Sequence, residues 1–501
     1  MKIRVSFIKK SMLIYLSAPF LLFLGAWVRP LISLPCAALF LYALRAAMKT
    51  HDDENQSTLT LSKTAFALIA LIVLLWGYCA GQGGFFYQSP DYHYRNAVFR
   101  DMIFYPWPVL YAAHKSALVY YLAHWLVPAS VAKLFLFAGA SARTVWAIGN
   151  ISLLLWGAAG VFLTVLLMMH TLKARSAGKK ALCLLMLIFF SGMDAVGAWL
   201  LYGGLAAHIE WWAQSYQYSS LTTCMFWVFN QTIAPWMIVM MLFSRQDVRN
   251  FAFTGLLCLF FAPFPFVCLT VYYIAFAARG FIRAYREKAA APFLKRVFSA
   301  QNVLASLVIF PLTYLYYGAN TAINAGRSEA FVAWRFLVDP NWFNPYAITV
   351  FACFLLLEFG FLCMALFRDE KRDLFFQTTL FCLILIPLIQ VGESGDFVMR
   401  ASIPALFVLM LITTRRLFQV NLKSARGVAL VLCLAIGAVT PAVEFARAFT
   451  TIAAYKRADL TADAVVSLGL HVGKADLRNF VRLNADETAF YKYIARLPNA
   501  E

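Results

Sequence analysis

Ser89-Pro90-Asp91-Tyr92-His93-Tyr94-Arg95 gathers residue types that could do chemistry. Pro90 reads as the start of a helix, which sets Asp91 and Arg95 at i, i+4 on one face and Asp101 further on. A carboxylate at a helix start beside a bilayer is placed to act as a general base or a metal ligand. An N-terminal cap with a surface ion pair is the plainer reading, and the spacing leaves both open. Arg400, in Gly392-Glu393-Ser394-Gly395-Asp396-Phe397-Val398-Met399-Arg400, opens a helix at another membrane edge. Its guanidinium matches a pair of phosphate oxygens, or a salt bridge to Asp396 or Glu393.

Three further acids stand out. Asp194 follows Phe189-Phe190-Ser191-Gly192-Met193 near the end of an apolar run, and an acid at that depth usually faces a cavity. Glu210 sits in His208-Ile209-Glu210-Trp211-Trp212, ahead of Gln217-Tyr218-Ser219-Ser220. Trp211 and Trp212 beside an acid suit a sugar platform, because aromatic faces cover pyranose C–H surface; an interfacial aromatic belt is the alternative. Glu358 lies in the middle of an apolar segment, where a hydrogen bond within the bundle is the expectation and a proton relay the alternative. His93 reads as a polar loop histidine. No HExxH, G-x-x-x-x-G-K-[ST] or GxSxG pattern occurs, which argues against a nucleotide site in the loops.

The elements that must position these residues follow from composition. Of 501 residues, 62% are hydrophobic and 13% charged, with a mean hydropathy of +0.71. A soluble domain is nearer 45–50% apolar and about 25% charged, so the chain is an all-α polytopic membrane protein. Disorder, a collagen-like chain and a secreted disulfide scaffold are excluded. The ten cysteines fall mostly within apolar runs and no pair has CxxC spacing, so they read as small core residues. Thirteen apolar segments are long enough to consider as crossings, at 11–28, 31–46, 64–80, 144–170, 181–200, 226–243, 251–263, 264–278, 301–318, 347–367, 374–391, 401–414 and 427–443. The seventh and eighth part at Ala262-Pro263-Phe264-Pro265, where proline breaks the helix.

Charge orients the bundle. With the N-terminus in the cytoplasm, 26 of the 43 Lys and Arg residues fall in cytoplasmic stretches, nine outside, and eight in the tail after residue 443. This fits the positive-inside rule provided 116–138 does not cross. That stretch, interrupted by His124, Pro128 and Lys133, reads as an outer-face interfacial or re-entrant helix. The basic residues lie between apolar segments and form no single patch, so the net charge of +19 does not indicate nucleic acid. The domain reading is a bundle over 1–443 with outer loops at 81–143, 201–225, 319–346 and 392–400, and a short extracytoplasmic tail over 444–501, too small to be a catalytic domain.

On these residues the chain resembles the GT-C superfamily of integral membrane glycosyltransferases, the group of oligosaccharyltransferase catalytic subunits, protein mannosyltransferases and aminoarabinose transferases. The likeness rests on Asp91 after an early span, a second pre-membrane helix over Tyr111–Phe137, the Tyr94-Arg95-x-Ala97 pattern followed by Arg100, and Arg400 late in the chain. It departs from the family in having two spans before the span that leads to Asp91, no adjacent Asp-Asp or Asp-Glu pair and no large outer domain. The resemblance implies transfer of a sugar from a polyprenyl-phosphate donor to a glycan, lipid or protein acceptor, with inversion, at the extracytoplasmic face of a bacterial inner (plasma) membrane. Asp91 would be the base. Arg400 would clamp the donor phosphate, with Arg95 or Arg100 second. Asp101, Glu210 or Asp194 would orient the acceptor or hold a metal, which leaves a divalent cation, Mg²⁺ or Mn²⁺, as the open cofactor. The rivals are a transporter or flippase of lipid-linked saccharide and a polysaccharide polymerase or ligase.

Overall fold

The computed structural model describes residues 1–205, 208–321, 332–392, 395–454, 465–472 and 477–496. Arg327 and Glu393 lie outside the described residues. Among those described, eight helices are long and apolar enough to cross a membrane, and 63–79, 123–137, 248–261 and 374–388 are shorter apolar helices. The chain is therefore an all-α, multi-pass membrane protein. Strands are confined to three small sheets in the connections.

The helices begin where the sequence supplies caps. Ser62, Ser141 and Ser176 accept from the backbone N–H groups of Ala65, Thr144 and Lys179. They open α3 (Lys63–Cys79), α6 (Ala142–Thr171) and α7 (Ala177–Phe189). α1 (Val5–Trp27) and α2 (Pro30–Lys49) form the leading hairpin. α11 (Phe251–Phe261) stops and α12 (Pro263–Arg286) starts at the expected Ala262-Pro263 break.

The connections sort into two ends of the bundle. At the first, β1 (Lys2–Arg4) pairs antiparallel with β2 (Thr58–Thr60). Ion pairs knit the same end: Lys9–Glu54, Arg245–Asp53, Arg415–Asp373 and Arg426–Asp369. At the second end, β3 (Leu110–Tyr111) and β4 (Ser116–Leu118) take β7 (Val481–Arg482) from the tail as a third strand. β5 (Val332–Trp334) pairs with β6 (Ile389–Val391). The tail also closes on the first hairpin. Arg29 donates from Nε to the carbonyl of Ala495 at 2.9 Å and from Nη2 to that of Lys492 at 2.8 Å.

This sorting settles α5 (Ala123–Phe137). It starts beside β4 at the second end. α6 finishes at the first end, where His170 bonds Ser57, and its 30 residues span about 45 Å. α5 therefore returns without crossing, tied by a 2.6 Å bond from Lys133 Nζ to the carbonyl of Tyr105.

Two spans are not continuous helices. The run at 181–200 breaks over 190–193, between α7 and α8 (Asp194–Tyr202). Glu358 causes this. It presses on Gly192, where a Cβ would lie 2.8 Å from Glu358 Cα. The Met193 N–H leaves its own helix to bond the carbonyl of Leu357 at 3.0 Å. Opposite the break, the helix of 345–370 widens into a π turn over Leu356–Gly360. At the other boundary of interest, helix runs past residue 443, through Val439–Ala454.

Candidate functional site

α4 (Tyr92–Phe104) carries the Asp91 segment, and the loop before it is held from several sides. Gly81 turns with φ 80°, and a Cβ there would meet the Tyr87 carbonyl at 2.5 Å. Tyr92 donates to the carbonyl of Ala80 at 2.7 Å, and Asn96 to Gln88 at 2.7 Å. Asp91 makes no capping bond. It is 45% exposed and pairs with Arg95, Nη2 to Oδ2 at 2.8 Å. Arg95 is buried near the rings of Tyr92 and Phe229, and its Nη1 has no partner.

Arg400 stands on a short helix over Asp396–Ala401 and pairs with Asp396 at 3.0 Å. Its Nε is buried without a partner. Burial works against its charge, but Asp396, then Tyr120 and Tyr121, and then Asp91 outweigh it and raise its pKa. Asp91 and Arg400, more than three hundred residues apart in sequence, therefore share one electrostatic neighbourhood. Tyr120 and Tyr121 pack at 4.5 Å between ring centroids, and Phe480 of the tail lies 4.6 Å from Tyr120 and 5.4 Å from Tyr94. The sequence reading missed this tyrosine pair, although two adjacent tyrosines inside an otherwise apolar stretch were the available signal.

The remaining candidates sit elsewhere. Asp101 is fully buried and committed: Oδ2 accepts from Tyr111, Ser467 and the Leu468 N–H at 2.9–3.0 Å. Arg100 contacts its other oxygen at 3.3 Å. Burial raises the Asp101 pKa despite those donors. Asp101 fastens the tail and is closed off from solvent. Trp212 offers no open ring face either; it is 2% exposed, lies against Gly197 and donates to Glu358 Oε1 at 2.9 Å. Trp211 remains exposed and bonds Gln217. Tandem tryptophans in a short 3₁₀ turn point apart, which defeats the two-ring platform.

Asp194, Glu210 and Glu358 form a second, buried group. Ser191 and Thr440 each donate to Asp194 Oδ2 at 2.9 Å. Asp194 Oδ1 and Glu358 Oε2 have no donor, and the two carboxyls lie within hydrogen-bonding reach of each other. Glu210 accepts from the Ser220 N–H at 2.8 Å and from Gln217 at 3.1 Å. Burial, then the charges of Asp194 and Glu444, push its pKa up to about 8.

A divalent cation does not fit these donors. Among the described residues no three His, Cys, Asp or Glu side chains converge as a metal site. Asp91 is paired with one arginine and lies near another, where a metal would need further carboxylates.

Fold and site together define an integral, multi-pass, all-α membrane protein with acid–arginine ion pairs at one end. No protein-family model matches the chain, and no curated protein or solved structure matches it either.

Proposed function

We propose that this protein is a GT-C-type glycosyltransferase that moves a sugar from a polyprenyl-phosphate donor to an acceptor, inverting the anomeric carbon. The observation that carries the reading is the half-exposed Asp91, paired with Arg95 and close enough to Arg400 to bias its charge, with one buried guanidinium nitrogen on each arginine left without a partner. A buried donor without a partner costs roughly 1–3 kcal/mol, more when charged. A phosphate oxygen is the kind of acceptor such a nitrogen lacks. Asp91 then deprotonates the acceptor hydroxyl, and Arg400 holds the departing phosphate. Water exclusion comes from Tyr120, Tyr121 and Phe480 around the site.

We place this end outside a bacterial inner membrane, with the N-terminus in the cytoplasm, thirteen crossings and an outer tail. Basic asymmetry supports that orientation. The deciding experiment is sugar transfer from a polyprenyl-phosphate donor by purified wild-type protein and by Asp91→Asn and Arg400→Lys. One observation favours a saccharide transporter as second reading: the facing carboxyls of Asp194 and Glu358 beside a broken helix. Abolition of function by Glu358→Gln, with Asp91→Asn silent, would move that reading ahead.

A further inference from the structure

At the opposite end of the bundle, between β2 and the α6–α7 connection, lies a cavity of about 590 Å³. It is within the roughly 300–1,000 Å³ range of ligand sites. Lys173, Arg175 and Lys180 line it together with His170, Thr58 and Ser62. It contains no acid. None of the three cations is ion-paired among the described residues, and Lys173 and Arg175 are exposed. Lys173 is fixed in the left-handed region at φ 56°, where the chain turns out of α6. An adjoining cavity of about 530 Å³ shares His170, Lys173 and Arg175 and is walled by Asp53 and Glu54. Those two acids are taken by Arg245 and Lys9. The net field in the first cavity is therefore positive, with hydroxyl donors around it.

Its setting argues for a lipid over a soluble anion. α3 and α7 both pack on α6 and flank the cavity. Each carries exposed apolar side chains along the helix leading away from it: Leu68, Leu71 and Leu75 on α3, and Leu185 on α7. A headgroup in the cavity would leave its acyl chains along those faces.

We propose that this cavity binds the phosphate headgroup of an anionic membrane lipid, held by Lys173, Arg175 and Lys180. Basic clusters between helices at a membrane surface take lipid phosphates in this way. The site is independent of the outer-end chemistry.

The test is native mass spectrometry of the detergent-purified full chain titrated with phosphatidylglycerol or with phosphatidylcholine. Phosphatidylglycerol should be retained in preference. Each single substitution, Lys173→Ala, Arg175→Ala or Lys180→Ala, should weaken it about fivefold, and a double substitution about 25-fold. Lys179→Ala is the control. Lys179 belongs to the same connection, but its ammonium sits over the Phe418 ring at 4.9 Å, outside the cavity lining. An equal loss with Lys179→Ala would mean diffuse surface attraction and overturn the site. Retention unchanged in the double variant would overturn it as well. Displacement of the lipid by millimolar inorganic phosphate would make the ligand a soluble anion and overturn the lipid assignment. Lys173 and Arg175 are exposed and Lys180 is half-buried, so none of these truncations opens the core, and thermal unfolding in detergent checks that each variant folds.

Discussion

Asp91→Asn is the most informative single change. The native carboxylate accepts a charge-assisted bond from Arg95 at 2.8 Å. An asparagine oxygen can accept the same bond, now without its charge. Hydrogen bonds involving a charged group contribute about 1.5–3 kcal/mol, and neutral ones about 0.5–1.5. Arg95 keeps its own charge, and Asp91 is 45% exposed, so solvent screens part of the difference. The stability loss should therefore be about 1 kcal/mol or less. A positioned base is worth about 10²- to 10⁴-fold in rate. Activity and stability thus separate: a folded, well-expressed variant should lose at least a hundredfold in transfer. The assay is sugar transfer from a polyprenyl-phosphate donor by purified protein, with a thermal unfolding scan of the same sample. Wild-type turnover by a folded Asp91→Asn variant would remove Asp91 from the chemistry. A collapse in stability with proportionate activity loss would make the pair structural.

Other outcomes are as specific. Arg400→Lys keeps the charge but loses the fork toward Asp396 and the orphaned Nε; donor KM should rise more than kcat falls, as read by steady-state kinetics. Gly192→Ala forces a Cβ to 2.8 Å from Glu358 Cα, so it should lower stability by about 1–3 kcal/mol, whereas Gly178→Ala, with open space around it, should not. Burial pushes the Glu210 carboxyl up from its ordinary 4.5 to about 8. The folded state holds its proton longer, so stability contributed by Glu210 is present below about 4.5 and is lost as pH rises through about 8; unfolding scans across that window should show the slope, and Glu210→Gln should flatten it. Asp101→Ala should free residues 465–472, detected as faster proteolysis of the tail, because three donors lose their acceptor at once. Outside labelling of a cysteine at position 115, with none at 179, is expected on the N-in orientation; the reverse pattern would invert the bundle.

What could be read in the sequence was local. The Asp91–Arg95 pair is one helical turn, and the Ala262-Pro263 break needs only proline's missing donor. The apolar runs disclosed helices because a continuous apolar run of that length satisfies its own backbone within a membrane as a helix. What could not be read depended on distant partners. Ser191-Gly192 looks like mid-helix sequence until Glu358 arrives against it from another span. Asp101 looks like a free acid because Ser467 and Leu468 lie over 360 residues away. Trp211 and Trp212 are identical in type, and it is the distant partners Gly197 and Glu358 that mark Trp212 as the buried one. The neighbourhood of Arg400 needed Tyr120, Tyr121 and Asp91 together, from two other stretches of the chain.

The closure of the tail on the first hairpin sets a timetable for biosynthesis. Arg29 emerges from the ribosome early, yet its acceptors at Lys492 and Ala495 follow more than 460 residues later. The same holds for β4, which waits for Val481–Arg482, and for Tyr120, which waits for Phe480. The helices can insert one after another during translation, but the end that holds Asp91 and Arg400 stays unsealed until synthesis has passed residue 496. A nascent chain stalled before that point would lack the strand and the ring that close this end, so synthesis of 477–496, and not insertion of the helices, is the step that completes it.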